Sequence, residues 1–177
     1  VAPKSPSPRA VVDAALAELE KRGVLPVPVP TKPSSSSPLP TVVADLGCGD
    51  GRWLLAACRR YGCRGVGFDV DAAVLAKARA DVAAAGLGDR IQLQDADFFQ
   101  HADLSKFDVV VAYLFREGCA KLKRKLEEEM KDGAFVVCVG FGLPTWTPLF
   151  EQRATGGLIF RLYTRRRGAG AAGAAAT

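Results

Sequence analysis

The chain has one histidine, one methionine and no Cys-x-x-C pair, and its longest apolar run, Val109 to Leu114, is only strand length. A bilayer-spanning helix needs roughly 18 apolar residues, so none is expected here. The lone histidine, His101, sits in a polar loop with no base, nucleophile or ligand close in sequence. It is expected at the surface, and no Ser/His/Asp constellation can be assembled around it. No acidic pair has metal-ligand spacing, and no Gly-Lys-Ser/Thr follows a glycine loop, so neither a metal centre nor a P-loop is expected. The five cysteines are odd in number and scattered through apolar stretches, unlike a secreted disulfide framework or a zinc site, which points to a reducing, intracellular compartment. The charge excess is small, 24 basic against 19 acidic residues, and reads as a solvated helix face plus the basic run Arg165 to Arg167 rather than as a nucleic-acid footprint.

What is present fits a single domain: 177 residues, 49% of them hydrophobic, enough for an ordinary core. We expect a monomer. Residues 1–25 form an N-terminal helix and lid segment, 26–40 a Pro/Ser connector, 41–165 the main domain and 166–177 a Gly/Ala tail too poor in large side chains to order. The first helix spans Arg9 to Arg22 on the spacing of Val11, Val12, Ala15, Leu16 and Leu19, with Ser7 as N-cap, Pro8 at the first helical position and Gly23 beyond the end. The chain opens at Val1 rather than methionine, which is compatible with a targeting segment or anchor ahead of it.

From Thr41 on, strand and helix patterns alternate. Strands are expected at Val42–Leu46, Gly65–Asp69, Arg90–Gln94, Phe107–Ala112 and Ala134–Phe141, with β-like runs at Thr147–Arg153 and Leu158–Thr164. Helices are expected at Arg52–Tyr61, with Leu55, Cys58 and Tyr61 inward, at Ala72–Ala85, with Leu75, Ala78 and Val82 inward, and at Gly118–Lys131. The last carries Cys119, Leu122, Leu126 and Met130 on one stripe and the pairs Lys123/Glu127, Arg124/Glu128 and Lys125/Glu129 outside. This order predicts an α/β fold: a doubly wound, Rossmann-like, mostly parallel seven-stranded sheet ending in an antiparallel hairpin.

In such sheets ligands sit beyond the carboxyl ends of the strands, where Asp45, Asp69, Asp97 and Tyr113 fall. Gly47, Gly49 and Gly51 form a Gly-x-Gly-x-Gly turn that lets backbone approach a flat cofactor while the next helix presents free N–H groups. A dinucleotide loop is spaced G-x-G-x-x-G, and Asp45 and Asp50 would repel a pyrophosphate. S-adenosylmethionine has no phosphate and carries a sulfonium and an ammonium, which acids attract. Asp69 ends the second strand, where a carboxylate can accept from ribose hydroxyls; it or Asp71 can also cap the following helix. After the third strand, either Asp95 or Asp97 can accept from an adenine amino group and a phenylalanine can cover the base.

The run Asp45 to Arg52, with Gly67-Phe68-Asp69-Val70, resembles the cofactor motifs of class I, seven-β-strand methyltransferases. Pro6-Ser7-Pro8-x-x-Val11-Val12, Ala96-Asp97-Phe98-Phe99, Val109 to Leu114 and Phe141 to Trp146 resemble the branch containing mitochondrial protein-lysine methyltransferases. Members of that branch trimethylate lysines of the adenine nucleotide translocase and the ATP synthase c-subunit, and bacterial relatives share the pattern. The resemblance implies S-adenosyl-L-methionine as cofactor, a protein lysine as acceptor and a mitochondrial location. It places Ser7 near the methionine end, gives Asp97 rather than Asp95 the adenine role, and implies a cofactor site of Ser7, Asp45, Gly47, Cys48, Gly49, Asp69, Val70, Asp97 and Phe98. Tyr113-Leu114-Phe115 stands where enzymes acting on base or glutamine amino groups carry Asn/Asp-Pro-Pro-Tyr. Tyr113 is the candidate substrate-side catalytic residue, with Phe115, Phe141 and Trp146 as channel walls and Glu117 as the nearest acid. The alternatives are a small-molecule or RNA acceptor, or a non-catalytic methyltransferase-like subunit.

Overall fold

The computed structural model describes residues 6–25, 40–154 and 156–166. The Gly/Ala tail from Gly168 and all of the Pro/Ser connector except Pro40 lie outside these residues.

Helix α1 (Arg9–Lys21) precedes β1 (Val42–Leu46), α2 (Arg52–Tyr61), β2 (Arg64–Asp69), α3 (Ala72–Ala84), β3 (Ile91–Asp95) and the short α4 (Phe98–His101). After a 3₁₀ turn at Leu104–Lys106 come β4 (Val109–Leu114), α5 (Arg116–Glu129), β5 (Phe135–Gly140), β6 (Phe150–Arg153) and β7 (Ile159–Thr164). The sheet order is β3-β2-β1-β4-β5-β7-β6, parallel from β3 through β5, with β7 antiparallel to both β5 and β6. The winding therefore reverses between β1 and β4, and the crevice at such a reversal is where α/β sheets hold ligands.

Strand alternation splits the core into two layers. Val109 and Val111 of β4, with Val43, Val137 and Val139, pack against Val11, Leu16 and Leu19 of α1 and Leu54 and Cys58 of α2. Val110, Ala112 and Leu114, with Ala44, Leu46 and Cys138, pack against Leu122 and Leu126 of α5 and against Phe98 and Leu104. All five cysteines are buried free thiols.

Several local expectations are corrected. Ser7 does not cap α1: Pro8 holds the cap position with an extended backbone, no side-chain cap forms, and the Pro8 carbonyl accepts from Val11 and Val12 N–H. On α2 the expected Cys58 and Tyr61 are buried, but Leu55 is only half-buried, and Trp53, Leu54 and Ala57 complete the inward face instead. Helix α5 starts at Arg116, before Gly118, since Phe115 already has an extended backbone that ends β4 and opens the helix. Of its surface pairs, Lys123–Glu127 and Lys125–Glu129 close at 2.9 and 2.6 Å. Asp71, not Asp69, caps α3, accepting from Ala73 and Val74 N–H.

Candidate active site

The glycine loop leaves β1 at Leu46, and its shape follows from backbone bonds that only bare glycines allow. Gly47, Gly49 and Gly51 have φ of 84°, 51° and 72°, a region where side chains with a Cβ are strained. Gly47 and Cys48 N–H both donate to the Phe68 carbonyl, at 2.8 and 2.9 Å, fastening the loop to the end of β2. Gly67 makes this possible, because a Cβ there would lie 2.7 Å from Leu93 Cδ2 and 2.8 Å from Cys48 Sγ.

Asp69 joins the two strand ends. Its Oδ2 accepts from Gly49 N–H at 2.8 Å and its Oδ1 from Asp71 N–H at 3.0 Å. Each carboxylate oxygen keeps a second lone pair for a hydroxyl. The Gly49 amide that would bed a phosphate in a dinucleotide site is thus already taken by a carboxylate. Excluding a pyrophosphate on the charge of Asp45 and Asp50 does not hold up. Asp50 is neutralised by Arg52, whose Nε lies 2.9 Å from Oδ1 and whose Nη2 lies 2.6 Å from Oδ2, and this pairing holds the Asp50 carboxyl below its usual range. Asp45 is 3% exposed; burial first, then the charges of Asp69 and Asp50, push its pKa up to about 8, so it is largely neutral near pH 7. Burial and the same acids raise the Cys48 thiol well above its ordinary value, which removes it as a nucleophile.

Asp45 Oδ2 is buried and has no hydrogen-bond partner among the described residues. A buried orphan acceptor at a strand end is costly unless a bound group supplies a donor, and a cofactor ammonium is such a group. By this observation the residues present fit S-adenosylmethionine.

Beyond the loop lies a cleft of about 790 Å³. One wall is Gly47, Asp69, Val70, Ala96, Asp97, Phe98 and Phe99; the other is Phe115, Arg116, Glu117, Gly118, Lys121 and Phe141. Asp97 turns the chain into α4, taking Phe99 N–H at 2.9 Å, and it lines the cleft, whereas Asp95 is exposed and does not. The Phe98 and Phe99 rings are in contact, centroids 4.3 Å apart and planes tilted by 40°. Val70, Phe115 and Phe141 are large apolar side chains left 71%, 48% and 38% exposed. The Arg116 guanidinium sits 5.3 Å from the Phe141 ring centroid.

The aromatic residues expected along a substrate channel separate. Phe115 and Phe141 lie together in the second wall, ring centroids 6.5 Å apart, and Glu117 lines the same wall, but Trp146 packs edge-on to Tyr163 and donates to Glu127 on the outer side of α5. Tyr113 is half-buried and packs with the α1/α2 core layer, its ring against Gly140 rather than in the cleft wall. Ser7 is buried, and its carbonyl accepts from Arg52 Nη1 at 2.7 Å. That contact and the Arg116–Phe141 contact were not foreseen; the Asp50-Gly51-Arg52 spacing, which returns a guanidinium onto the loop's own acid, was the one available signal.

Strand order, the reversal between β1 and β4, and the glycine loop fastened to an acid at the end of β2 define the class as the seven-strand methyltransferase fold. The crystal structure of a Salinibacter ruber RNA methyltransferase in complex with S-adenosyl-L-homocysteine superposes with a TM-score of 0.76 at 30% identity, covering 92% of this chain and 95% of that one. A putative methyltransferase from Escherichia coli shares the fold at TM-score 0.70 and 18% identity, over 94% of this chain and 90% of that one. The chain belongs to the ANTKMT methyltransferase domain family, whose model matches residues 45–150. A protein-lysine N-methyltransferase of Saccharolobus islandicus (strain REY15A) is 33% identical over 108 residues, 60% of this chain and 66% of that protein. The lysine N-methyltransferase of the ATP synthase c-subunit from Mus musculus is 29% identical over 106 residues, 60% of this chain. The chain spans 42% of the mouse protein's length.

Proposed function

We propose that the chain transfers a methyl group from S-adenosylmethionine to a lysine side chain of a protein. The observation that carries the cofactor half is the unpartnered, buried Asp45 Oδ2 at a rim whose neighbouring amide and carboxylate, Gly49 and Asp69, are already aligned. When bound, S-adenosylmethionine supplies a methyl group on a sulfonium. Asp45 would receive the ammonium of that molecule, Asp69 the ribose hydroxyls through its free lone pairs, and Asp97 the adenine amino group, while Phe98, Phe99 and Val70 would supply the apolar surface for the base.

The acceptor half rests on the opposite wall and on the lysine methyltransferases among the relatives. A lysine must lose a proton before it attacks, and an apolar wall lowers its pKa by disfavouring the ammonium. Phe115 and Phe141 provide such a wall, and Glu117 steers the incoming cation. Methyl transfer leaves a neutral thioether behind, so alignment and exclusion of water carry the rate and no strong base is required. Tyr113 acts from behind this wall by holding Gly140 and hence the β5 end that carries Phe141. The mouse relative is named for the c-subunit of ATP synthase, and this, with the resemblance to the mitochondrial branch, supports a mitochondrial location.

RNA is the second reading, favoured by the Salinibacter enzyme and by Arg116 and Lys121 in the same wall. The deciding experiment incubates the protein with methyl-labelled cofactor and fractionated organelle extract, followed by protease or ribonuclease. Label lost to protease and recovered as methyl-lysine is expected; label lost to ribonuclease assigns RNA instead.

A further inference from the structure

Arg52 touches three elements at once. As the first residue of α2 it lays Nε and Nη2 along the Asp50 carboxylate, at 2.9 and 2.6 Å, closing the loop on itself across Gly51. From its other edge Nη1 donates to the Ser7 carbonyl at 2.7 Å, a bond that crosses 45 positions of sequence. A half-exposed ion pair adds little to stability by itself, so fold glue is a poor account of this arrangement. What a planar fork adds is orientation: its edges aim at the carboxylate and the carbonyl from separate nitrogens, whereas lysine's three donors share one nitrogen on a flexible stem and do not hold the two apart in a fixed geometry.

The two things joined are the glycine loop of the proposed cofactor site and the segment ahead of α1, which this bond holds beside the loop. One is the loop whose Gly49 amide is aligned with Asp69. The other is the segment Pro6–Pro8, in which Ser7 is buried although it precedes α1. Helix α1 is anchored independently by Val11, Val12, Leu16 and Leu19 in the core, and the loop keeps its bonds to Phe68 and Asp69, so losing Arg52 uncouples the segment from the loop without removing either. Arg52 also cancels the charge of Asp50, one of the acids that disfavour ionised Asp45.

Building on the cofactor assignment above, we propose that Arg52 is a positioning residue for cofactor capture: it fastens the Pro6–Pro8 segment to the glycine loop, so that segment and loop close on the cofactor as one unit. The test measures S-adenosylhomocysteine affinity by calorimetry, and hydrogen–deuterium exchange of a peptide covering residues 6–12 with and without that ligand. In the wild-type protein the ligand should slow exchange in this peptide. In Arg52→Ala, with an unchanged far-UV spectrum, affinity should fall at least about tenfold and the ligand should no longer protect the peptide. Arg52→Lys, which keeps the charge and serves if the alanine variant does not fold, should not restore both properties. Affinity within about twofold of wild type, or ligand protection that persists in both variants, overturns the proposal. Failure of the wild-type protein to bind the ligand at all would instead remove the cofactor assignment itself, which keeps the two failures distinguishable.

Discussion

Replacing Asp45 by asparagine should make the ligand-free protein more stable and a worse binder, and the stability gain should grow with pH. In the folded chain the Asp45 pKa is raised from 3.8 to about 8, with burial as the main cause. Between those values the folded state holds a proton that the unfolded state has released, so stability falls as pH rises. The stabilising protonated form is fully present below the unfolded value and is lost through the folded one. Between pH 5 and pH 8 the linkage is about three pH units, which at 1.36 kcal/mol each sets a ceiling of about 4 kcal/mol. For a chain of this size that corresponds to a melting-temperature gap between variant and wild type that widens by on the order of 10 °C from pH 5 to pH 8 and closes only below the unfolded value of 3.8. Scanning calorimetry of both proteins across this range isolates the effect, since every other titrating group is common to the two. The same residue should release a proton when a cationic ligand arrives, so the wild-type binding enthalpy near pH 7 should depend on the ionisation enthalpy of the buffer. A melting-temperature difference that does not change with pH would refute the placement of Asp45 as a buried, unpartnered carboxyl.

Gly67→Ala should destabilise the fold by about 1–3 kcal/mol and weaken cofactor binding together, because the new Cβ meets Cys48 Sγ and Leu93 Cδ2 below 3 Å; denaturant melts and ligand titration check both. Phe141→Ala should raise the KM for the acceptor while leaving S-adenosylhomocysteine affinity near wild type, and Tyr113→Ala should lower turnover more than cofactor affinity; equal losses in both measures would exclude a substrate-side role. Tyr163→Phe leaves the buried Leu143 N–H, which donates to the tyrosine hydroxyl at 3.1 Å, without an acceptor and should cost about 1–3 kcal/mol in urea melts with no change in cofactor binding.

The alternation of strands and helices was legible because β1, β2 and β5 are short apolar runs closed by glycine or acid, and the parallel order follows from the helices between the strands. Boundaries were less so. Phe115 could extend β4 or precede α5, and only the backbone shows it doing the latter. On α2 Cys58 and Tyr61 were legible, but the inward face also takes in Trp53 and Leu54 rather than Leu55. At the site, Asp45, the three glycines and Asp69 were readable because strand ends and positive-φ turns have local signatures. The partition of the aromatics was not: whether Tyr113, Phe115, Phe141 and Trp146 share a wall depends on strand parity across β4 and β5 and on how α5 covers the sheet, which no local pattern encodes. Nor does sequence report that Asp50 is neutralised and Asp45 protonated; both follow from distance and burial.

The most direct measurement is calorimetric titration of the protein with S-adenosylhomocysteine, beside Asp69→Ala. One ligand should bind per chain, and the variant, which loses both the acceptor for Gly49 N–H and the acid facing the ribose, should show no binding although it remains folded. An absence of heat with the wild-type protein, or undiminished affinity in the variant, would contradict the assignment of this rim to an adenosyl cofactor.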